Sequence, residues 1–195
     1  MTRNQLRARS GRWRIGLAAL LPAGMLLVGL IGANPASAAP SDTPPVPGVP
    51  NQGPITGLDG SCLDDWGQNV YPGAPVDAYP CNGTAAQQWT WVPWAQAIVL
   101  SDTYYLNPAY CLDVNDGSDQ PGTKVQIWPC NLQKSQQWYQ WPDGALDAEG
   151  LCLDIPSYKV TPVTATSPVQ LQIWGCNGGG ANQSWSSVWN LVAPT

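Results

Sequence analysis

One segment occurs three times in this chain after residue 54, and this repetition limits the possible folds more than any other feature. Each copy begins with Cys-Leu-Asp, places an aromatic residue two positions before a second cysteine, and ends with Gln-x-Trp. The copies begin at Cys62, Cys111 and Cys152. Repeats of this length indicate equivalent units that bury a shared core only when they pack together. We therefore expect one domain built from three similar units.

The six cysteines follow the same repetition. The two cysteines of a copy are 19, 19 and 24 residues apart in the first, second and third repeats, which predicts one disulfide per repeat. The predicted bonds join Cys62 to Cys81, Cys111 to Cys130, and Cys152 to Cys176. The spacings contain no short Cys-x-x-Cys pair and the sequence has no histidine, so they do not indicate a zinc site. We expect neither a metal nor another cofactor.

Short runs such as AIVL, KVQIW and VQLQIW occur within the copies. They alternate in polarity or are rich in β-branched residues, and they stop at Gly, Pro, Asn or Asp, as strands joined by turns do. No segment after residue 54 shows a sustained helical period. The pattern predicts an all-β domain. Three copies favour a closed β-trefoil with pseudo-threefold symmetry over a propeller, which needs about four to eight blades.

The first 38 residues differ from the rest of the chain. They carry all five arginines, then an apolar run, and then Ala36-Ser37-Ala38, a small-residue cleavage motif. This order is typical of a secretory signal peptide, so we expect a secreted, extracellular protein whose mature form is not embedded in a membrane. The alternative is an uncleaved anchor, because the apolar run approaches the roughly 20 residues that span a bilayer. Residues 39–54 contain six prolines and are predicted to form an extended spacer before a domain at 55–195.

The predicted mature chain is strongly acidic. Three lysines stand against 13 acidic residues, which leaves a net charge of −10. Binding to nucleic acid depends on several Lys or Arg contacts with phosphates, so we exclude nucleic acid as a partner. The usual catalytic groups are also scarce, since the sequence has no histidine and one glutamate, Glu149. We therefore do not expect an enzyme.

Three copies of Cys-Leu-Asp, of the aromatic residue before the second cysteine, and of Gln-x-Trp resemble the ricin-type β-trefoil lectin domain, also called carbohydrate-binding module family 13. The resemblance covers residues 55 to about 193. It implies twelve strands, six that close a barrel and six that form hairpins capping it. It also implies that the tryptophans of Gln-x-Trp pack in the core, and we extend this expectation to those near the repeat junctions. The first group is Trp89, Trp138 and Trp185, and the second is Trp91, Trp94, Trp141 and Trp189.

The resemblance further implies a sugar site within each repeat. Its parts are the Asp of Cys-Leu-Asp, a Gln and an aromatic residue before the second cysteine, and the Asn-Gln that opens the last motif. These groups suit a sugar, because a carboxylate accepts strong hydrogen bonds, amides both donate and accept, and an aromatic ring covers a face of C–H groups. In the third repeat they are Asp154, Gln172, Trp174, Asn182 and Gln183. Because this set is complete, we expect the third repeat to bind best.

The other two repeats depart from that pattern. The second repeat has Asp113, Gln126, Trp128 and Gln136, with Ser135 in place of Asn. We expect weaker binding there. The first repeat has Asp64, Tyr79 and Gln87, with Asp77 in place of Gln and Ala86 in place of Asn. Two neighbouring carboxylates disfavour double ionisation, so we expect this site to be the weakest.

We therefore expect a monomeric, lectin-like protein that binds galactose- or pentose-type glycans reversibly through up to three sites. The third repeat also carries extra residues between Tyr158 and Pro168, which are expected to lengthen a loop beside its own site. Because a fold does not fix a function, two alternatives stay open. One is a protease inhibitor that presents Lys159-Val160 from this loop. The other is a non-catalytic subunit that targets a separate hydrolase or toxin to a glycan.

Overall fold

A computed structural model of the chain describes residue 49 and the ranges 51–156 and 163–187. The predicted signal peptide, most of the predicted spacer, Trp189 and the pair Lys159-Val160 lie outside the described residues. In the described part, short β-strands alternate with turns and single-turn 3-10 helices. None of its helices is long and apolar enough to cross a membrane. The predicted all-β class is confirmed.

The described ranges contain fourteen short strands. In chain order they are β1 (Gln52–Gly53), β2 (Ile55–Gly57), β3 (Ser61–Asp65), β4 (Ala74–Pro80), β5 (Trp89–Val92), β6 (Ala97–Leu100), β7 (Tyr110–Val114), β8 (Val125–Pro129), β9 (Tyr139–Gln140), β10 (Leu146–Ala148), β11 (Leu151–Asp154), β12 (Val169–Gln170), β13 (Gln172–Trp174) and β14 (Trp185–Ser187). The first strand begins at Gln52, so the folded domain starts before residue 55 and includes the last three residues of the predicted spacer.

Two of the strands are continuations of their neighbours, which explains the difference from the twelve that were expected. The run from β1 to β2 is interrupted at Pro54, which has no N–H to donate, and there it changes partner from β5 to β3 and β14. The run from β12 to β13 is interrupted at Leu171, where it changes partner from β4 to β11. Counting each interrupted run once leaves twelve, four in each repeat.

The pairing of these runs gives the predicted β-trefoil. The second and third runs of each repeat form an antiparallel hairpin, namely β3 with β4, β7 with β8, and β11 with β13. Antiparallel pairing of β14 with β2 joins the last described strand to the first repeat. This closure removes two sheet edges that would otherwise expose unpaired backbone groups.

The three hairpins meet at equivalent, fully buried residues. The N–H of Leu171 donates to the carbonyl of Val76 at 3.0 Å, and the N–H of Val125 donates to the carbonyl of Leu171 at 3.1 Å. All three side chains have no exposed surface. One buried apolar residue from each repeat therefore contributes to the contact between the three hairpins.

The tryptophans of Gln-x-Trp pack in the core as predicted. Trp89, Trp138 and Trp185 are at most 2% exposed. The expectation for the repeat junctions is only partly right, because Trp91 is buried whereas Trp94 and Trp141 are 79% and 50% exposed. Trp94 lies in the tight turn between β5 and β6 and Trp141 directly follows β9, and both side chains reach solvent there.

The three disulfides also form as predicted. They join Cys62 to Cys81, Cys111 to Cys130, and Cys152 to Cys176. Each bond links the second strand of a repeat to the end of its third, so it ties the two strands of one hairpin together. In the chain-entropy description, loops of this length contribute about 3 kcal/mol each to stability.

Candidate functional site

The aspartate of each Cys-Leu-Asp segment lies in a hairpin strand and is almost fully buried. Asp64, Asp113 and Asp154 are 5%, 4% and 4% exposed. Each faces a residue of the third run in the strand register, and these facing residues are Asp77, Gln126 and Gln172 respectively. The predicted Asp and Gln positions are thus neighbours across one hairpin in every repeat.

In the second repeat, two side chains hold the carboxylate of Asp113. Gln126 donates from Nε2 to Oδ2 at 2.9 Å, and Ser135 donates from Oγ to Oδ1 at 2.8 Å. Burial raises the pKa of Asp113, and these hydrogen bonds oppose that shift. Ser135 therefore supplies the donor for which an asparagine was expected.

A cavity of about 440 Å³ opens over Asp113, and the half-exposed Trp128 forms part of its wall. Its lining also includes three charged residues that the sequence did not indicate, Asp116, Lys134 and Glu149. Glu149 comes from the turn between β10 and β11 of the third repeat, where its φ is +55°. The sequence motif of the second repeat could not predict Glu149, because this residue belongs to the third repeat.

In the third repeat, three amides hold the carboxylate of Asp154. Gln172 donates to Oδ2 at 2.8 Å, while Asn182 and Gln183 both donate to Oδ1, the latter at 3.2 Å. Trp174 is 49% exposed on the same hairpin. The structure thus brings together every residue that was predicted for this site.

The first repeat differs in both supporting residues. Asp64 accepts one hydrogen bond, from Nε2 of Gln87 at 2.8 Å, since Ala86 has no donor and the facing residue is Asp77. Burial raises the pKa of Asp64 to about 6, although the hydrogen bond from Gln87 lowers it. Burial, together with the charges of Asp64 and Asp65, raises the pKa of Asp77 to about 7.

A second cavity, of about 310 Å³, lies over this pair of carboxyls. Trp66 and Tyr79 line it together with Ala165 and Pro168, which belong to the insertion of the third repeat. The insertion was expected beside its own repeat's site. Its described part instead reaches the first repeat, because β12 that follows it pairs with β4.

The glutamines of Gln-x-Trp lie behind the aspartates. Gln87, Gln136 and Gln183 are at most 1% exposed. Their Oε1 atoms accept from the backbone N–H of Asn82, Asn131 and Asn177 at 2.8, 2.8 and 2.9 Å. Their Nε2 atoms donate to the carbonyls of Pro80, Pro129 and Gly175 at 3.2, 3.2 and 3.1 Å. These bonds fix the loop around each second cysteine, so the geometry gives the glutamines a positioning role.

One group of potential metal ligands occurs in the described ranges, formed by Asp147, Cys152 and Cys176. Both sulfur atoms belong to one disulfide. A thiolate is the form of cysteine that binds metals, so this group does not indicate a metal site.

Solved structures show the same architecture. A designed threefold-symmetric protein, ThreeFoil, is 21% identical with a TM-score of 0.58, over 69% of this chain and 96% of that one. A non-toxic homologue of type II ribosome-inactivating proteins from Momordica charantia, solved with α-methyl-D-galactoside, is 27% identical with a TM-score of 0.54, over 71% of this chain. The match covers 48% of that protein, so this chain spans about half its length. The C-half of an earthworm R-type lectin, solved with GalNAc, is 18% identical with a TM-score of 0.54, over 70% and 97% of the two chains.

No curated protein matches the sequence significantly. The family model of the ricin-type beta-trefoil lectin domain matches residues 51–185. This range contains all three repeats, all three disulfides and the Asp, Gln and Trp positions described above. The chain therefore belongs to the ricin-type β-trefoil lectin family.

Proposed function

We propose that this is a secreted, monomeric carbohydrate-binding protein that holds galactose- or pentose-type glycans reversibly at its second and third repeats. One observation carries the proposal. In both repeats a buried aspartate is held by a facing glutamine and by a second donor, and a half-exposed tryptophan lies on the same hairpin. The second donor is Ser135 in the second repeat and Asn182 in the third, so the arrangement is the same although the residue differs.

Each part of this arrangement has a task in sugar recognition. The fixed carboxylate accepts hydrogen bonds from sugar hydroxyls, and bonds to a charged acceptor are about twice as strong as neutral ones. Its hydrogen bonds to Gln126 or Gln172 orient the carboxylate before the ligand arrives, which lowers the entropy that is lost on binding. The indoles of Trp128 and Trp174 offer a flat apolar surface for the C–H face of the ring.

Known proteins support the choice of sugar. The Momordica charantia protein was solved with α-methyl-D-galactoside and the earthworm lectin with GalNAc, and both ligands are galactose-type sugars. An open site for one sugar ring is expected to be weak, with about −4 kcal/mol for a dissociation constant of about 1 mM. Two such sites on one rigid domain raise the apparent affinity for a polysaccharide by about 10² to 10⁴ where its spacing fits.

Catalysis is not part of the proposal. The sequence has no histidine, and each of its six cysteines is bonded to another. Lys159-Val160, on which an inhibitor function depends, lies outside the described residues, so no observation favours that alternative.

Isothermal titration of the purified protein with methyl-galactoside, GalNAc and soluble xylan tests the proposal. Asp154→Ala and Trp174→Ala are expected to abolish binding at the third repeat, and Trp128→Ala is expected to abolish it at the second. Trp141→Ala is the matched control, because Trp141 is as exposed as Trp174, lines neither described cavity and takes no part in the hydrogen bonds to Asp154. The proposal fails if no sugar of a broad glycan panel binds, or if Trp141→Ala weakens binding as much as the site variants do.

A further inference from the structure

The first repeat places a second carboxyl where the other two repeats have an amide. Asp64 and Asp77 face each other across β3 and β4, in the register that joins Asp113 to Gln126 in the second repeat. Gln126 donates a hydrogen bond to its aspartate, whereas an ionised Asp77 only accepts. Position 77 therefore carries a hydrogen-bond acceptor where the second repeat carries a donor.

One oxygen of the buried Asp77 carboxyl has no hydrogen-bond partner. It is 1% exposed and lines the cavity of the first repeat, and its Oδ1 atom is buried with no hydrogen-bond partner in the described structure. Buried polar atoms are nearly always hydrogen-bonded, and an exception calls for an explanation, of which a bound ion or ligand is one. The cavity of the first repeat, which Asp64 and Asp77 both line, has room for such a ligand.

The charged groups around the pair are acidic. Asp65, next to Asp64 on β3, is fully buried, and neither of its carboxyl oxygens has a partner within the described ranges. Burial and the charges of Asp64 and Asp102 raise the pKa of Asp65 to about 7. The residue of β12 that faces Asp77 is the neutral Gln170.

A lysine lies near the site in each of the other two repeats, although the two lysines come from different positions of the fold. Lys134 lines the cavity of the second repeat, and Nζ of Lys124 lies 3.4 Å from Oε1 of Gln172 in the third. No described residue that lines the first cavity is a lysine or arginine. A ligand of the first repeat would therefore have to bring its own positive charge.

We propose that the cavity of the first repeat selects a sugar that carries a free amine, such as a 2-amino-2-deoxyhexose unit, and binds its ammonium group between Asp64 and Asp77. The inference rests on the proposed function, because it takes the sugar-binding role of the repeats as given. An ammonium offers three donors and no acceptor, which suits the unpartnered Oδ1 of Asp77 and the carboxylate of Asp64, which accepts a hydrogen bond only from Gln87. Trp66 and Tyr79 on the cavity wall add aromatic surface that attracts cations.

Protons and the ammonium compete for the same two carboxyls. Both carboxyls must be ionised to hold the ammonium, and their raised pKa values of about 6 and 7 place this ionisation between about pH 5 and 8. Binding of the amino sugar is therefore expected to strengthen from pH 5 to 7. It should also weaken with added salt, as interactions between charges do.

Titration of the protein with galactosamine and with GalNAc at pH 7 tests the proposal, because the two sugars differ in that the second has no cationic amine. Asp77→Gln is the main variant, since glutamine already occupies this position in the other two repeats. We expect it to weaken galactosamine binding at the first repeat at least tenfold and to leave GalNAc binding at the second and third repeats unchanged. A background with Trp128→Ala and Trp174→Ala removes galactosamine binding at those two repeats. Full affinity for galactosamine at the first repeat of Asp77→Gln, measured in that background, would overturn the proposal.

Nuclear magnetic resonance of the unaltered protein gives a second readout that does not depend on the folding of a variant. Galactosamine is expected to shift the side-chain carboxyl signals of Asp64 and Asp77, and GalNAc is not. If GalNAc binds in an Asp154-dependent way and galactosamine leaves these signals unmoved, the inference fails while the proposed function stands. If neither sugar nor any other glycan binds, both fail.

Discussion

The indole nitrogen of Trp138 donates a hydrogen bond to the backbone carbonyl of Leu112 at 3.0 Å. Leu112 directly precedes Asp113, so a core tryptophan fixes the backbone immediately before the carboxylate of the site. The same bond joins Trp89 to Leu63 and Trp185 to Leu153, also at 3.0 Å. The two ends of the repeated motif are therefore one structural unit, in which the closing tryptophan holds the opening Cys-Leu-Asp.

Replacement of this tryptophan is expected to reduce both stability and binding. Trp138→Phe keeps an aromatic ring in the core but leaves the carbonyl of Leu112 without its donor, which costs about 1 to 3 kcal/mol for a buried group. Urea unfolding measures this loss. Trp94→Phe is the control, because Trp94 is 79% exposed, and it should leave the free energy of unfolding within about 0.5 kcal/mol of the original value. Equal effects of the two variants would contradict the assigned role of the hydrogen bond.

The donor from Ser135 is expected to set the affinity of the second site. Ser135→Ala removes the hydrogen bond to Oδ1 of Asp113, and a bond to a charged group is worth about 1.5 to 3 kcal/mol, so binding there should weaken by about tenfold or more. Ser135→Asn copies the third repeat, where Asn182 donates to Asp154, and should keep or improve binding. Titration of both variants in a Trp174→Ala background isolates the second site. Unchanged affinity in Ser135→Ala would show that the carboxylate needs no second donor.

Loss of one site should affect long ligands more than short ones. Trp128→Ala is expected to reduce the number of bound monosaccharides by one without changing the affinity of the remaining sites. For a polysaccharide that spans two sites, the same change removes the gain of about 10² to 10⁴ from linked binding. Titration with a monosaccharide and retention on immobilised polysaccharide compare the two effects. Equal losses for both ligands would mean that the sites do not act together.

The buried aspartates of the first repeat make stability depend on pH. Asp64, Asp65 and Asp77 have pKa values raised to about 6, 7 and 7, so the folded protein binds more protons than the unfolded chain above about pH 4. Stability then falls as the pH rises through these raised values. We expect the melting temperature to be at least about 4 °C lower at pH 7.5 than at pH 5, which corresponds to roughly 1 kcal/mol.

Asp65→Asn tests the source of this dependence. The variant replaces a buried ionisable carboxyl with a neutral amide, so it should raise the melting temperature at pH 7.5 and flatten the pH profile. Asp116→Asn is the matched control, since Asp116 lies at the surface of the second repeat, and it should leave the profile unchanged. A melting temperature that rises from pH 5 to 7.5 would contradict the assignment.

The sequence alone was enough to predict the fold and most of the site in the second and third repeats. The spacing of Cys111 and Cys130 predicted a disulfide that the structure contains, and Asp154, Gln172 and Asn182 meet as expected. These relationships lie within one repeat, on two strands of a hairpin and the turn that follows. Their geometry depends on short chain separations, so the repeated motif encodes it locally.

Tertiary structure decided the features that join different repeats. Glu149 of the third repeat enters the cavity of the second, and Ala165 and Pro168 of the third enter the cavity of the first. Tertiary structure also decided that Gln136 is 1% exposed and is buried beside Asp113. The burial of a side chain depends on packing, which its position in the motif does not specify. Closure of the three hairpins around Val76, Val125 and Leu171 brings these distant segments together, and no local pattern in the chain specifies which loop then borders which site.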